Sequence, residues 1–420
     1  MKLRLEEARM RRITGGLWAV LALSLANTVL ADERRLTLHE STRLALTGNP
    51  DIQRLATSVE AARARLAGAS LLLPTNPVVT VQAGPRTSPA GKTLDHGVQA
   101  LQQFEVAGQR GARVAAAKAN LSAAEAQLQA LKADVAARVR ETFGQALAAE
   151  ERVQLAGEAF ALAEQGVDAA SQRFEAGAAA LLEVNTARVE IGRAARDRGE
   201  GARRRAGAIG DLHLLLGLEP TDVIIPQGEL RSAAPIEEAQ DLLRTALANR
   251  AELDAARHGL EAARAEARLA AKEWIPSPRI GASYSRERES DTSIVQGIVS
   301  IDVPLFNRNR AARGVAAARV REMEVALSAV ERGVTQDVLT AYARVQAAQS
   351  SADGYAEEVV KAMQENMGLV TESYQAGKID FLQLLLIRRR TLEARGEYID
   401  VLEELNSARA LLDRAIGRRP

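Results

Sequence analysis

Cysteine is missing from all 420 residues, and that absence excludes a disulfide framework, a zinc ribbon, an iron–sulfur cluster and a thiol nucleophile. Charge of one sign is missing too. The 55 Lys+Arg nearly cancel the 54 Asp+Glu and leave a net charge of +1, which argues against bulk electrostatic binding of nucleic acid. The four histidines (His39, His96, His213, His258) are far apart, and none pair at metal-ligand spacing. An enzyme, and with it a resident metal or cofactor, is disfavoured. Aromatic residues amount to only 3%. What is present is Ala, Leu, Glu, Arg and Gln, the make-up of long helices.

The N-terminus reads as an address. Lys2, Arg4, Arg9, Arg11 and Arg12 precede an apolar run from Leu17 to Leu30, and small residues around Ala31 are followed by Asp32-Glu33. This is the pattern of a secretory signal, with cleavage expected after Ala31. The run is short for a membrane anchor, which needs about 20 apolar residues. No later segment reaches that length either, so the mature chain is expected outside the cytoplasm, soluble or in a membrane as strands.

An internal repeat is the most informative feature. Glu60–Ala64 (EAARA) recurs as Glu261–Ala265, and Val114–Lys118 (VAAAK) recurs as Val315–Arg319, both at an offset of 201. Phe174-Glu-Ala-Gly177 answers Tyr374-Gln-Ala-Gly377, and the Leu-rich end at Gly217 answers that at Gly417, both at an offset of 200. One such match is weak in an Ala-rich chain, but four in order at nearly constant spacing indicate tandem duplication. The division expected is a leader at 1–31, a first repeat at 32–217, a linker at 218–238 where Pro220, Pro226 and Pro235 cluster, and a second repeat at 239–420.

Each repeat carries two textures. Residues 90–219 and 305–419 contain no proline. Leu121, Ala124, Leu128, Leu131, Val135, Val139, Phe143 and Leu147 follow the helical period, as do Val359, Met363, Met367, Val370 and Tyr374. Helical hairpins are expected over about 110–217 and 308–417, turning at Gly177 and Gly377. Such rods leave apolar stripes that one chain cannot cover, so partner helices are needed. The other texture is a pair of β-hairpins, with strands at about 76–84 and 96–104 around a Gly/Pro/Ser/Thr loop, and at about 279–286 and 293–303. Val295, Gly297, Val299, Ile301 and Val303 alternate with Ile294, Gln296, Ile298 and Ser300. About ten residues suffices for a tilted outer-membrane strand. Four strands cannot close a barrel without an edge; the twelve of three chains could.

These residues resemble a known family. The duplicated helix–strand–strand–helix plan, the leader and the paired Phe/Tyr-x-Ala-Gly turns look like the TolC-like outer-membrane factors. The stretch Val303-Pro304-Leu305-Phe306-Asn307-Arg308-Asn309-Arg310 is similar to their cobalt–zinc–cadmium, heavy-metal branch. The resemblance covers Leu36 to Gly417. It implies a mainly α chain with a small β part, forming a homotrimer whose twelve strands make an outer-membrane barrel continued by a long periplasmic α-helical barrel. It also implies a passive duct fed by an inner-membrane RND pump through a periplasmic adaptor (a membrane fusion protein), with outer-membrane lipid as a further partner, no nucleic acid and no cofactor. Gly108, Pro304, Phe306, Asn307 and Arg308 would form the strand-to-helix junctions, with Pro304 at a strand exit or as the first residue of a helix.

At the opposite end, Gly177, Leu181, Gly377 and Leu382 would form the periplasmic tip that docks the adaptor. Glu183 keeps the family's entrance carboxylate. Gln383 and Leu386 stand where relatives often carry acids, so Asp380 is the second candidate; carboxylate rings favour cations, while a solvated helix-end acid is the plainer alternative. Arg388-Arg389-Arg390 is expected as a solvent-facing, interhelical salt-bridge run. Trp274 is expected to pack or to anchor at a membrane interface. Two other readings compete: the same architecture serving drug efflux or type I protein secretion, and a soluble periplasmic coiled-coil scaffold or adaptor.

Overall fold

The computed structural model describes residues 33–89, 91–230, 236–355 and 357–418; the expected leader and its cleavage point lie outside them. The chain opens with a short strand β1 (Glu33–Leu36) and helices α1 (Leu38–Gly48) and α2 (Pro50–Ala69). Thr37 begins α1 with a capping box: its Oγ1 accepts from the Glu40 N–H, and Glu40 in turn accepts from the Thr37 N–H at 2.9 Å. Those bonds hold the Glu40 carboxyl below its ordinary range. Asn49 caps α2, with Pro50 at the first helical position, where a missing N–H costs nothing.

A hairpin follows, β2 (Val78–Ser88) and β3 (Gly91–Gln103), and then α3 (Gln109–Glu175), a helix of 67 residues, about 100 Å long at the helical rise. Its return partner is α4 (Leu181–Leu216). Strand β4 (Val223–Pro226) lies in the linker, and the second repeat adds α5 (Ala239–Asn249), α6 (Ala251–Lys272), the hairpin β5 (Arg279–Glu287) and β6 (Thr292–Ser300), and helices α7 (Arg310–Asp353), α8 (Glu357–Gln375) and α9 (Phe381–Ala415).

The duplication governs the backbone. Gly177 and Gly377 share φ of 70° and 68°, and Gly217 and Gly417 share 66° and 68°, the left-handed conformation that ends helices at little cost only for glycine. Gly217 is also needed for space, since a Cβ there would lie 2.2 Å from the Gly48 carbonyl oxygen. Asn49 and Arg250, 201 residues apart, do one job by different chemistry. Asn49 Nδ2 donates to the Leu215 carbonyl at 3.0 Å, and Arg250 Nη1 donates to the Ala415 and Arg414 carbonyls at 3.0 and 3.2 Å. Each satisfies oxygens that the end of a long helix leaves without intrahelical donors.

Two cores flank this midriff. One joins Ile52, Val139, Phe143, Leu212, Leu216 and Leu402; the other joins Leu242, Leu253, Val338, Val345, Leu405 and Ile416. Strands β1 and β4 pair in parallel here, an element that sequence periodicity did not announce because each has four residues.

Several boundaries differ from the sequence reading. The expected 85–95 loop is a ladder: Pro85 faces Leu94 and Ser88 faces Gly91 across a tight turn. In the single chain β2 is an edge strand, where a missing N–H is tolerated, and Pro85 lies close to the hairpin turn. Strand β6 stops at Ser300 rather than 303. The second long helix is broken between α7 and α8, where Ser350, Ser351, Asp353 and Gly354 are weak helix formers. Helix α7 starts at Arg310, so Pro304 is not its first residue.

Candidate channel wall and periplasmic tip

The four long strands form one antiparallel sheet in the order β2-β3-β5-β6. Register places one residue of each strand in line across the sheet: Val81 faces Val98, Val98 faces Tyr284 and Tyr284 faces Val295. One face therefore carries Val79, Val81, Leu94, Val98, Ala100, Ile280, Tyr284, Val295 and Val299. Among the described residues no helix covers it; Val81, Val295 and Val299 are 76%, 75% and 74% exposed. The other face is mostly polar, with Thr80, Gln82, Asp95, Gln99, Ser283, Ser285 and Gln296, and Ile294 and Ile298 beside them. A soluble sheet buries its apolar face, whereas a membrane barrel turns it to lipid and keeps the polar face for the lumen. The outer edges of β2 and β6 have no partner strand among the described residues. Near the hairpin turns, on the polar face, Arg86 bridges Asp95 at 2.6 Å and Glu287 at 2.8 Å and so ties three strands together.

At the base of the sheet, Gly108 (φ 72°) precedes α3 and Asn309 (φ 55°) precedes α7. These positions are 201 apart, and Asn is the side-chain-bearing residue that best tolerates the left-handed region. Asn309 Nδ2 donates to the Ala270 carbonyl at 3.1 Å, and Asn307 Oδ1 accepts from the Asn309 N–H at 3.0 Å. Sequence reasoning missed Asn309; applying the repeat offset to Gly108 would have found it. Pro304 sits in a tight turn in which the Leu305 N–H donates to the Val303 carbonyl at 2.9 Å. Phe306 is 100% exposed, and Arg308 is exposed as well.

The two hairpin tips lie together at the far end, joined by a cluster of Ala170, Val184, Val370, Phe381 and Leu384. Gly177 and Gly377 are exposed, and a Cβ at either would meet no atom within 4 Å. Leu181 and Leu382 are each 53% exposed. They are not repeat equivalents: Leu181 corresponds to Phe381, which is buried, and Leu382 to Leu182. Asp380 caps α9, its Oδ1 accepting from the Gln383 N–H at 2.7 Å. Glu183 lies in the first turn of α4, half-buried, and its Oε2 is shielded with no hydrogen-bond partner. Between the hairpins, Arg173 Nη1 donates to the Tyr374 hydroxyl at 2.5 Å, with the guanidinium carbon 5.1 Å from the ring centre.

The arginine run divides. Arg389 pairs with Glu393 at 2.7 Å. Arg388 is half-buried and donates to the Thr371 hydroxyl at 3.0 Å, and burial lowers its affinity for its proton. Among the described residues it forms no salt bridge, contrary to the expectation for the run, because it points into the packed interface between α8 and α9. Glu158 pairs with Arg395 across helices at 2.6 Å. No cluster of three or more His, Asp or Glu able to hold a metal ion occurs among the described residues.

The outer membrane efflux protein family matches this chain twice, over residues 42–218 and 242–418. The chain belongs to that family. Proteins of this family are outer-membrane transport ducts, not enzymes. The cobalt-zinc-cadmium resistance protein CzcC of Cupriavidus metallidurans is 26% identical over 192 residues, 46% of either chain; the chain thus spans about half the length of the curated relative it matches. A membrane protein of Pseudomonas aeruginosa has the same fold, with TM-score 0.73, 20% identity, and coverage of 90% of this chain and 93% of that one. The open state of the Neisseria gonorrhoeae MtrE outer membrane channel gives TM-score 0.72 and 22% identity, covering 90% and 88%. The efflux chain therefore has the TolC-like fold that the resemblance implied. No helix among the described residues is long and apolar enough to cross a membrane; the sheet is the part of this efflux protein with a face suited to lipid.

Proposed function

We propose that this protein is the outer-membrane exit duct of a tripartite RND-type system that expels heavy-metal cations. Three copies join β6 of one to β2 of the next, closing twelve strands into a barrel, and their α3–α4 and α7–α9 hairpins form a helical tunnel below it. The observation that carries the reading is the sheet itself: an apolar face without cover, a polar face opposite, and two free edges. A barrel closed in this way leaves no unpaired backbone groups in hydrocarbon.

The heavy-metal assignment is supported by the likeness to the cobalt-zinc-cadmium resistance protein and by the Pro304–Arg308 stretch. A conduit should hold passing ions weakly, since a tight site would trap them. In this reading the tip at Gly177, Leu181, Gly377 and Leu382 meets a periplasmic adaptor, which links the tunnel to an inner-membrane pump. Glu183 and Asp380 supply negative charge at the entrance.

Deleting the gene should sensitise the host to cobalt, zinc or cadmium and leave drug tolerance unchanged; the opposite pattern would assign the duct to drugs. The entrance charge has its own test. Asn caps helices as well as Asp does, so Asp380→Asn removes charge while preserving the start of α9. Combined with Glu183→Gln, it should lower cation preference in single-channel recordings, and unchanged reversal potentials would contradict the entrance role.

A further inference from the structure

The connection between β6 and α7 has features that a mere strand exit does not require. Ile301, Val303, Leu305 and Phe306 are 56%, 67%, 65% and 100% exposed. Between the first two, Asp302 pairs with Arg279 at 3.1 Å. Arg279 belongs to the polar face of β5, so this pair fixes the parity of the segment: Ile301 and Val303 continue the lipid-facing row of Val295 and Val299 beyond the last ladder hydrogen bond. Arg308 and Arg310 come next, both exposed and neither in an ion pair among the described residues. The loop is held rather than loose, because Asn309 is bonded to the Ala270 carbonyl and to Asn307. That bond brings it to the end of α6, four residues before Trp274, which is itself 43% exposed.

We propose that Ile301–Arg310 is a lipid-anchoring loop on the periplasmic rim of the barrel, with the apolar residues in the acyl region and Arg308 and Arg310 on the phosphates of anionic phospholipids. This rests on the reading that the sheet stands in the outer membrane. Two facts select lipid over another protein as the occupant. The apolar row is continuous with the lipid-facing side of β6, and the charge just beyond it is unbalanced and positive, as an anionic headgroup layer demands. Guanidinium groups also match phosphate geometry better than amines do.

Trp274 makes the proposal measurable, because the other tryptophan, Trp18, lies in the expected leader. The full mature channel is reconstituted in mixed phosphatidylcholine and phosphatidylglycerol vesicles, with one lipid at a time carrying brominated acyl chains that quench indole fluorescence. Brominated phosphatidylglycerol should quench Trp274 several-fold more effectively than brominated phosphatidylcholine at equal mole fraction. The preference should vanish in Arg308→Gln/Arg310→Gln, and in the unaltered protein at high salt, where surface charge is screened. Equal quenching by the two lipids in the unaltered protein, or a preference that survives both loss of the arginines and high salt, would overturn the anchor and point to a neighbouring copy as the loop's cover. Quenching by neither lipid would instead overturn the placement of the sheet in the membrane, and the anchor with it.

Discussion

The exchange of Asn49 for Arg250 between repeats shows what a duplicated scaffold conserves at the level of a single residue. The requirement is a donor aimed at the carbonyls that end a long helix, and either an amide or a guanidinium meets it. Arg250 is also bonded to Glu252 at 2.6 Å and to Asp337 at 3.3 Å. Arg250→Met should therefore leave two carboxylates and two carbonyls short of a donor and cost roughly 2 kcal/mol, seen as a lower midpoint in denaturant unfolding. The tip glycines should behave differently. A Cβ added at Gly177 or Gly377 would meet no atom within 4 Å, so Gly177→Val with Gly377→Val should cost chiefly left-handed strain, at least about 1–2 kcal/mol per site. Assembly should survive while adaptor docking fails, measured by co-purification of the adaptor; normal efflux in that variant would contradict the assignment of the tip.

At the scale of elements, the sheet gives the sharpest contrast. Val98 and Gln99 are neighbours on β3 but face opposite sides. Val98→Arg should cost about 2–4 kcal/mol at mid-membrane depth and block insertion, whereas Gln99→Arg should insert normally and alter conductance. The check is heat-modifiable migration of the membrane-extracted protein. Much of this layer was legible in the sequence, because proline-free stretches and the 3.6-residue period mark long helices however they pack. The alternation of Val295, Gly297 and Val299 was likewise visible. The Pro85–Asp95 ladder was not, since Gly, Pro, Ser and Thr signal turns locally and only pairing with β3 overrides them. The α7–α8 break was hidden for the opposite reason: no proline marks it. At the candidate site, Gly108 and the two tip turns could be located from spacing. The cap at Asp380 is a local Asp-x-x-Gln box with Gln383, a signature that the sequence carries and sequence reasoning missed, whereas the bond from Arg388 to Thr371 depends on a contact between helices that spacing does not report.

For the whole molecule, one protomer is an incomplete object. Among the described residues its sheet has two open edges, Val315 and Val325 on α7 are 71% and 66% exposed, and Val81, Val295 and Val299 on the apolar face of the sheet have no helix over them. In the proposed assembly each deficit is removed by other copies or by lipid, and the protomer is a third of a wall. Native mass spectrometry of the detergent-extracted protein tests this claim most directly. The account predicts a particle of three chains that needs detergent to remain in solution and resists dissociation until heated. A single chain, stable in buffer without detergent, would contradict it.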